Sequence, residues 1–215
     1  MQNALTILHE TYSVPNVVIS SIPVAKWLRD LTPPYIRSAV SDQERSLLCL
    51  ASVRAAGAAA TAEGAGTSSH HRRSAVYAGC VPLIPGYFSG VGDLFSALVL
   101  GHYFPSPSSS APPDINNPPP SSSSLSSLPP LPRAVSLALT KTYAILRLTE
   151  EYASSLPPED RTTTDNELDE ADPERRIRRM RGRELRLVQG RRTLSGEAMG
   201  ELRLLREWDN FWGSD

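Results

Sequence analysis

Ten consecutive residues, Tyr87 to Ser96, read YFSGVGDLFS, and an apolar run from Ala97 to Leu100 follows at once. Two glycines, an acid and then a helix-forming run make a pattern suited to holding an anion. Gly90 and Gly92 allow close backbone approach with unusual dihedrals. The free N–H groups and positive dipole end of the following helix would face the ligand. A carboxylate repels phosphate, so Asp93 fits such a place if it takes a proton from a hydroxyl that attacks the phosphate. On spacing alone two readings of Asp93 stand level, this one and an ordinary helix N-cap. The glycines by themselves are equally a tight turn.

The elements that must position this turn are legible as strands and helices. Asn3 to Tyr12 places Leu5, Leu8 and Tyr12 at helical spacing. VVIS (Val17 to Ser20) is a β-branched strand ending in the hydroxyls of Ser20 and Ser21, and Leu47 to Val53 and Ala75 to Ile84 are two further apolar strands. Ile22 to Gln43 is expected to be irregular because of Pro23, Pro33 and Pro34. Asp93 to Tyr103 is apolar nearly all round, which predicts a buried helix. Arg133 to Tyr152 resumes helix, with Val135, Leu139, Thr142, Leu146 and Thr149 on one side. Arg183 to Gln189 alternates as a half-buried strand would, and Leu202, Leu205, Trp208 and Trp212 share a face of a last helix. Strand, glycine turn and helix together suit an α/β sheet with ligands at the carboxyl edge.

Low-complexity stretches interrupt this frame. Residues 55–74 are rich in Ala and Gly, 105–132 in Pro and Ser, and 154–174 turn acidic from Glu159. Such compositions bury too little surface to order themselves and read as inserts. The ordered parts are then about 3–54, 75–104, 133–153 and 183–212. The 215 residues suffice for one core, and a net charge of −1 favours neither nucleic acid nor membrane. Nine arginines between Arg175 and Arg192 suggest a nucleic-acid patch, but the acidic run before them would neutralise it and no aromatics interleave. The two cysteines, Cys49 and Cys80, lie in apolar runs with no metal-ligand spacing, and read as buried thiols. Met1 to Glu10 has neither the basic nor the apolar region of a signal peptide. A cytoplasmic protein is expected, with the nucleus as the other compatible compartment. His70–His71 reads as solvated loop, and Tyr87 and Phe88 read as packing.

YFSGVGDLFS resembles the signature of the ribokinase-like small-molecule kinases, and DLFSA is most similar to pyridoxal kinases. VVISS (Val17 to Ser21), LLCLASVR (Leu47 to Arg54) and ELRLVQ (Glu184 to Gln189) resemble that family's strands in the same order. The resemblance implies the C-terminal half of a three-layer α/β/α sandwich, with a homodimer as an assembly it allows. It implies ATP-dependent phosphorylation of pyridoxal and related vitamers at the 5′ hydroxyl, with Asp93 as catalytic base. Ser20, Ser21, Gly90, Val91 and Gly92 would contact nucleotide phosphates, with Mg2+ and a K+ or Na+ ion nearby. Val91 departs from the hydroxyl residue often found between those glycines, so only its backbone could donate. No Asn-x-x-Glu element, which helps organise magnesium in that family, precedes VVISS. The chain alone is therefore expected to bind ATP weakly and not to phosphorylate pyridoxal. Two other functions stay open, a kinase of that fold for a hydroxymethylpyrimidine, nucleoside or sugar, and a non-catalytic interaction protein.

Overall fold

The computed structural model describes residues 1–38, 40–41, 44–54, 74–103, 123–161 and 166–213. The Ala/Gly-rich stretch at 55–73 and His70–His71 lie outside them, as does most of the Pro/Ser-rich stretch. The chain divides into two compact units. The first comprises Met1–Pro82, Pro113–Val135 and Leu204–Asp215, the second Leu83–Pro112 and Ser136–Arg203.

The first unit is built on an antiparallel sheet of four strands in the order β1-β2-β3-β4, namely Asn16–Pro23, Ser46–Val53, Ala75–Pro82 and Arg206–Glu207. The first three are where the apolar runs place them. Their antiparallel pairing does not provide the common carboxyl edge expected from the strand–turn–helix reading. β2 and β3 pair without interruption from Ser46↔Pro82 to Val53↔Ala75. Leu48 and Leu50 fall opposite Cys80 and Ala78, so the middle of one face of the pair is apolar, with Ser46 and Ser52 at its two ends. Against it pack Leu5 from α1 (Gln2–Thr6), Leu28 from α2 (Lys26–Leu31), Ile36 from α3 (Pro34–Arg37), and Trp208 and Phe211. Cys49, Ala51 and Gly79, on the other face, are buried as well.

Three local expectations change. The proline-rich stretch after β1 carries two short helices, because Pro34 occupies the first turn of α3, where its missing N–H costs nothing. The amphipathic segment at the N-terminus leaves α1 for a π turn over Ile7–Thr11, closed by the Tyr12 N–H donating to the Ile7 carbonyl at 3.1 Å. This turn brings His9 into the core, where Nδ1 donates to the Val14 carbonyl at 2.6 Å and Nε2 lies 2.8 Å from Ser52 Oγ. The last apolar residues form no helix. Leu205 and Trp208 flank β4, whose neighbour Trp208 donates its N–H to the Val76 carbonyl at 2.8 Å.

The second unit is helical. It holds α4 (Val91–Tyr103), most of α6 (Pro130–Ser155), α7 (Pro158–Arg161), α8 (Asn166–Ala171), α9 (Pro173–Arg181) and α10 (Arg191–Ser195), while α5 is Ser123–Ser126. On α6, Val135, Leu139, Thr142 and Thr149 are buried and Leu146 is half-buried, matching the expected stripe. The segment read as an acidic insert instead carries α7, α8 and the start of α9. Asp172 caps α9 by accepting from the N–H groups of Glu174 and Arg175 at 3.1 and 3.3 Å, and Pro173 follows it. Asp169 pairs with Arg175 and Arg179, while Asp160 and Asp172 pair with Arg178 at 2.8 Å each. The hydrogen bond from Arg178 holds the Asp172 carboxyl below its ordinary range. Charge pairing, rather than apolar burial, orders a sequence whose composition suggested none. Among the described residues no helix is long and apolar enough to cross a membrane.

Two outcomes follow from the packing around β2 and β3. A Cβ on Gly79 would sit 3.0 Å from the Leu204 carbonyl oxygen, an atom of the main chain that cannot swing away. Gly79→Ala should therefore cost about 1–3 kcal/mol in urea unfolding. Burial pushes the Cys49 thiol up to about 12 and the Cys80 thiol up to about 11. Neither should react with a thiol reagent at pH 8 until urea unfolds the chain, when both should. Labelling of the native protein at the rate of a free thiol would contradict this burial.

Candidate functional site

The glycine turn lies in the second unit, and its base is fixed by the segment that was expected to form a strand. Arg183 to Gln189 forms turns and no strand. Only Glu184 bridges in parallel to Ser89, and the Ser89 N–H donates to the Arg183 carbonyl at 3.0 Å. Beyond it the Gly190 N–H closes on the Arg186 carbonyl at 2.8 Å, and the Arg186 N–H donates to Thr149 Oγ1 of α6 at 3.1 Å. The backbone groups that a strand would offer to a neighbour are used in these bonds.

Gly90 has a φ of +80°, and its carbonyl accepts the Leu94 N–H at 3.0 Å. Gly90 is thus the N-cap of α4, in a conformation that an L side chain adopts only under strain. The N–H groups of Val91, Gly92 and Asp93 lie in the first turn, where no acceptor inside the helix exists for them. Nothing lies within 4 Å of where a Cβ would stand on Gly90 or Gly92. Open space borders the backbone on that side, and in it an oxyanion could approach three N–H groups at the positive end of a 13-residue helix. Asp93 is the third helical residue and not the N-cap. Its carboxylate is exposed, with no side-chain partner among the described residues.

The helix behind the turn is less buried than its composition implied. Only Phe95 is fully buried, and Leu100 is 61% exposed. Its apolar residues point in more directions than its neighbours cover, because among the described residues only one side of α4 is packed. Tyr87 also differs from its reading as packing. It is exposed, and the Arg183 guanidinium lies 5.7 Å over its ring. Phe88 does pack, folding back over Gly86.

Ser20 and Ser21 belong to the first unit, so each half of the expected phosphate site stands in its own unit. They do not end β1 but interrupt it. Ile19 pairs with Leu50 and Ile22 with Leu48, so two serines stand opposite one residue in a bulge on the sheet's edge strand. Both are exposed, and Ser21 has a φ of +60°. A serine in that region costs about 1 kcal/mol relative to ordinary backbone. Bulges of this kind redirect side chains, and here the two hydroxyls are presented to solvent.

A second concavity in the helical unit went unforeseen. A cavity of about 470 Å³ is bordered by Gly86, Tyr87, Phe88, Arg161, Arg179 and Arg183, among others. Arg175 and Arg179, an i, i+4 pair on α9, are 2% and 5% exposed, whereas the arginine run was read only as a neutralised patch. Among the described residues no group of three or more His, Cys, Asp or Glu side chains is placed to hold a metal.

No family model matches the chain, and no curated protein matches it. Solved structures do. A pyridoxal kinase from Leishmania donovani in complex with ADP and pyridoxamine has a TM-score of 0.47 at 17% identity, covering 92% of this chain and 41% of that one. The same kinase in complex with ADP alone gives 0.46 at 18% identity, covering 92% and 41%. A pyridoxal kinase from Trypanosoma brucei gives 0.41 at 16% identity, covering 90% and 38%. The chain spans about two fifths of the length of the solved structures it matches.

The two glycines should separate in stability measurements. Gly90→Ala meets the strain of a positive φ and should cost about 1 kcal/mol or more. Gly92→Ala, in ordinary helical backbone with free space beside it, should be neutral or stabilising by up to about 1 kcal/mol. Equal losses at both positions in thermal unfolding would contradict this turn geometry.

Proposed function

We infer that this chain takes part in ATP-dependent phosphoryl transfer to the 5′ hydroxyl of pyridoxal. The observation that carries the reading is the turn from Gly90 to Asp93. It combines a glycine N-cap at positive φ, three N–H groups in the first helical turn, free space beside Gly92 and an exposed carboxylate on the third residue. A bare anion site has no use for that carboxylate. A phosphoryl transferase does, because the accepting hydroxyl must lose its proton as it attacks.

In this reading the N–H groups of Val91, Gly92 and Asp93 stabilise the negative charge on the transferred phosphoryl group. Val91 contributes main chain only, since its side chain has no donor. Asp93 accepts the proton of the attacking hydroxyl at its carboxylate. Ser20 and Ser21 enter as hydroxyl donors to nucleotide phosphate, on the strength of the resemblance and of their exposed placement at the bulge. Mg2+ in nucleotide sites is held by phosphates and water with only one or two protein carboxylates, so the scarcity of clustered acids is compatible with it. When bound with the nucleotide, the ion would supply charge neutralisation. The choice of pyridoxal over a sugar, nucleoside or hydroxymethylpyrimidine rests on the DLFSA resemblance, since ELRLVQ, likened to a strand, forms turns. The homodimer, the monovalent cation and the cytoplasmic location stand as part of the same proposal.

Three measurements test it. Asp93→Ala should lower kcat by about two to four orders of magnitude while leaving nucleotide affinity unchanged or improved. This is assayed with pyridoxal, ATP and magnesium on whichever preparation turns over, the chain itself or the chain extended at its N-terminus. Turnover within a few-fold of the parent would make Asp93 a helix-stabilising acid only. The 215-residue chain should bind ATP weakly in calorimetry, and Gly92→Ala should abolish that binding without loss of stability. In a substrate panel, preferential phosphorylation of a sugar would overturn the choice of pyridoxal.

A further inference from the structure

The cavity beside the Pro85–Phe88 turn is bordered by a buried guanidinium whose donors are not all used. Arg179 lines it with a side chain only 6% exposed. One of its terminal nitrogens, Nη2, pairs with Asp169, but among the described residues Nε and Nη1 have no partner. Buried guanidinium N–H groups are rarely left unpaired, because water has been removed and nothing has replaced it. Asp169 cannot compensate fully, since it also receives Arg175.

The other charges at the cavity accentuate this. Its two carboxylates are engaged elsewhere, Asp160 by Arg178 at 2.8 and 3.2 Å and Glu150 by Arg147 at 3.4 Å and Ser154 at 3.1 Å. Two more arginines border the space. Arg161 uses Nε on the Leu156 carbonyl at 2.6 Å, and Arg183 lies over the Tyr87 ring. Tyr87 and Phe88 give the same cavity an aromatic wall, and about 470 Å³ is enough for a small molecule.

We propose that this cavity is a binding site for a small ring-bearing oxyanion, its anionic head on Arg179 and Arg161 and its ring against Tyr87 and Phe88. None of the residues from Gly90 to Asp93 lines it, so the site does not depend on the phosphoryl-transfer reading. The chemistry shared by an aryl phosphate and an aryl carboxylate is what the arginines recognise.

The test is calorimetric titration of the full chain with phenyl phosphate, benzoate, inorganic phosphate and phenol. Phenyl phosphate or benzoate should bind, whichever binds more tightly identifying the head group. Inorganic phosphate should bind at least about tenfold more weakly, for want of the ring, and neutral phenol not at all. Arg179→Met should weaken binding by about tenfold or more, the loss of a charge-assisted hydrogen bond. Circular dichroism would show whether that variant is folded. If it is not, Arg161→Gln, at an exposed position, decides by a several-fold loss. Tyr87→Ala should reduce the advantage of phenyl phosphate over inorganic phosphate. Gly92→Ala separates this site from the glycine turn and should leave the affinity for phenyl phosphate and benzoate unchanged. Absence of binding by both ring-bearing anions, binding unaffected by Arg179→Met and Arg161→Gln, or binding abolished by Gly92→Ala would each overturn the proposal.

Discussion

The unbroken pairing of β2 with β3, buried on both faces, is the constraint on which the first unit depends. Eight consecutive residue pairs, from Ser46↔Pro82 to Val53↔Ala75, fix the direction of every side chain on both strands. A slip by one residue would exchange the faces and carry Leu48 and Leu50 away from the cluster around Leu5, Leu28 and Trp208. Polar atoms within this layer must be bonded to one another. Ser52 meets that demand through His9 and through Ser74, whose Oγ lies 2.7 Å away. The irregular π turn is the local consequence, because it lets His9 face inward.

The second unit solves a different problem. Its α7–α9 stretch has few apolar residues to bury and is held by carboxylates set against guanidinium groups. Asp160, 2% exposed, is a buried charge that is tolerable only because Arg178 meets it with two hydrogen bonds. The Glu184–Ser89 bridge and the Thr149 hydroxyl then tie the chain after α9 to the glycine turn and to α6. The first unit resists change through packing, the second through charge. Salt and acid should therefore loosen the two unequally.

Strands β1 to β3 were legible because the β-branched and apolar runs VVIS, Leu47–Val53 and Ala75–Ile84 have few alternatives. The glycine turn was legible because Gly90 and Gly92 precede an apolar run. The helix after it was placed correctly but not its exposure, since composition records what a face is made of and not whether anything covers it. ELRLVQ alternates like a strand yet forms turns, because its backbone groups find acceptors on α6 and within the turn itself. The acidic segment looked unstructured by composition, whereas the Asp172-Pro173-Glu174 start of α9 is a local signal that composition averages away. Leu205 and Trp208 recur at helical spacing, but the partner available to that segment is the free edge of β3, and two residues of strand suffice to use it.

The bulge at Ser20 and Ser21 has a bearing on assembly. Among the described residues β1 is an outer strand, the kind of border onto which another polypeptide can align. Ser21 at a φ of +60° breaks that border near its middle, so no incoming strand can follow it for its full length. The strained backbone of Ser21 on a border strand thus shortens the stretch to which another strand could pair, and the cost of its conformation is borne by the sheet behind it.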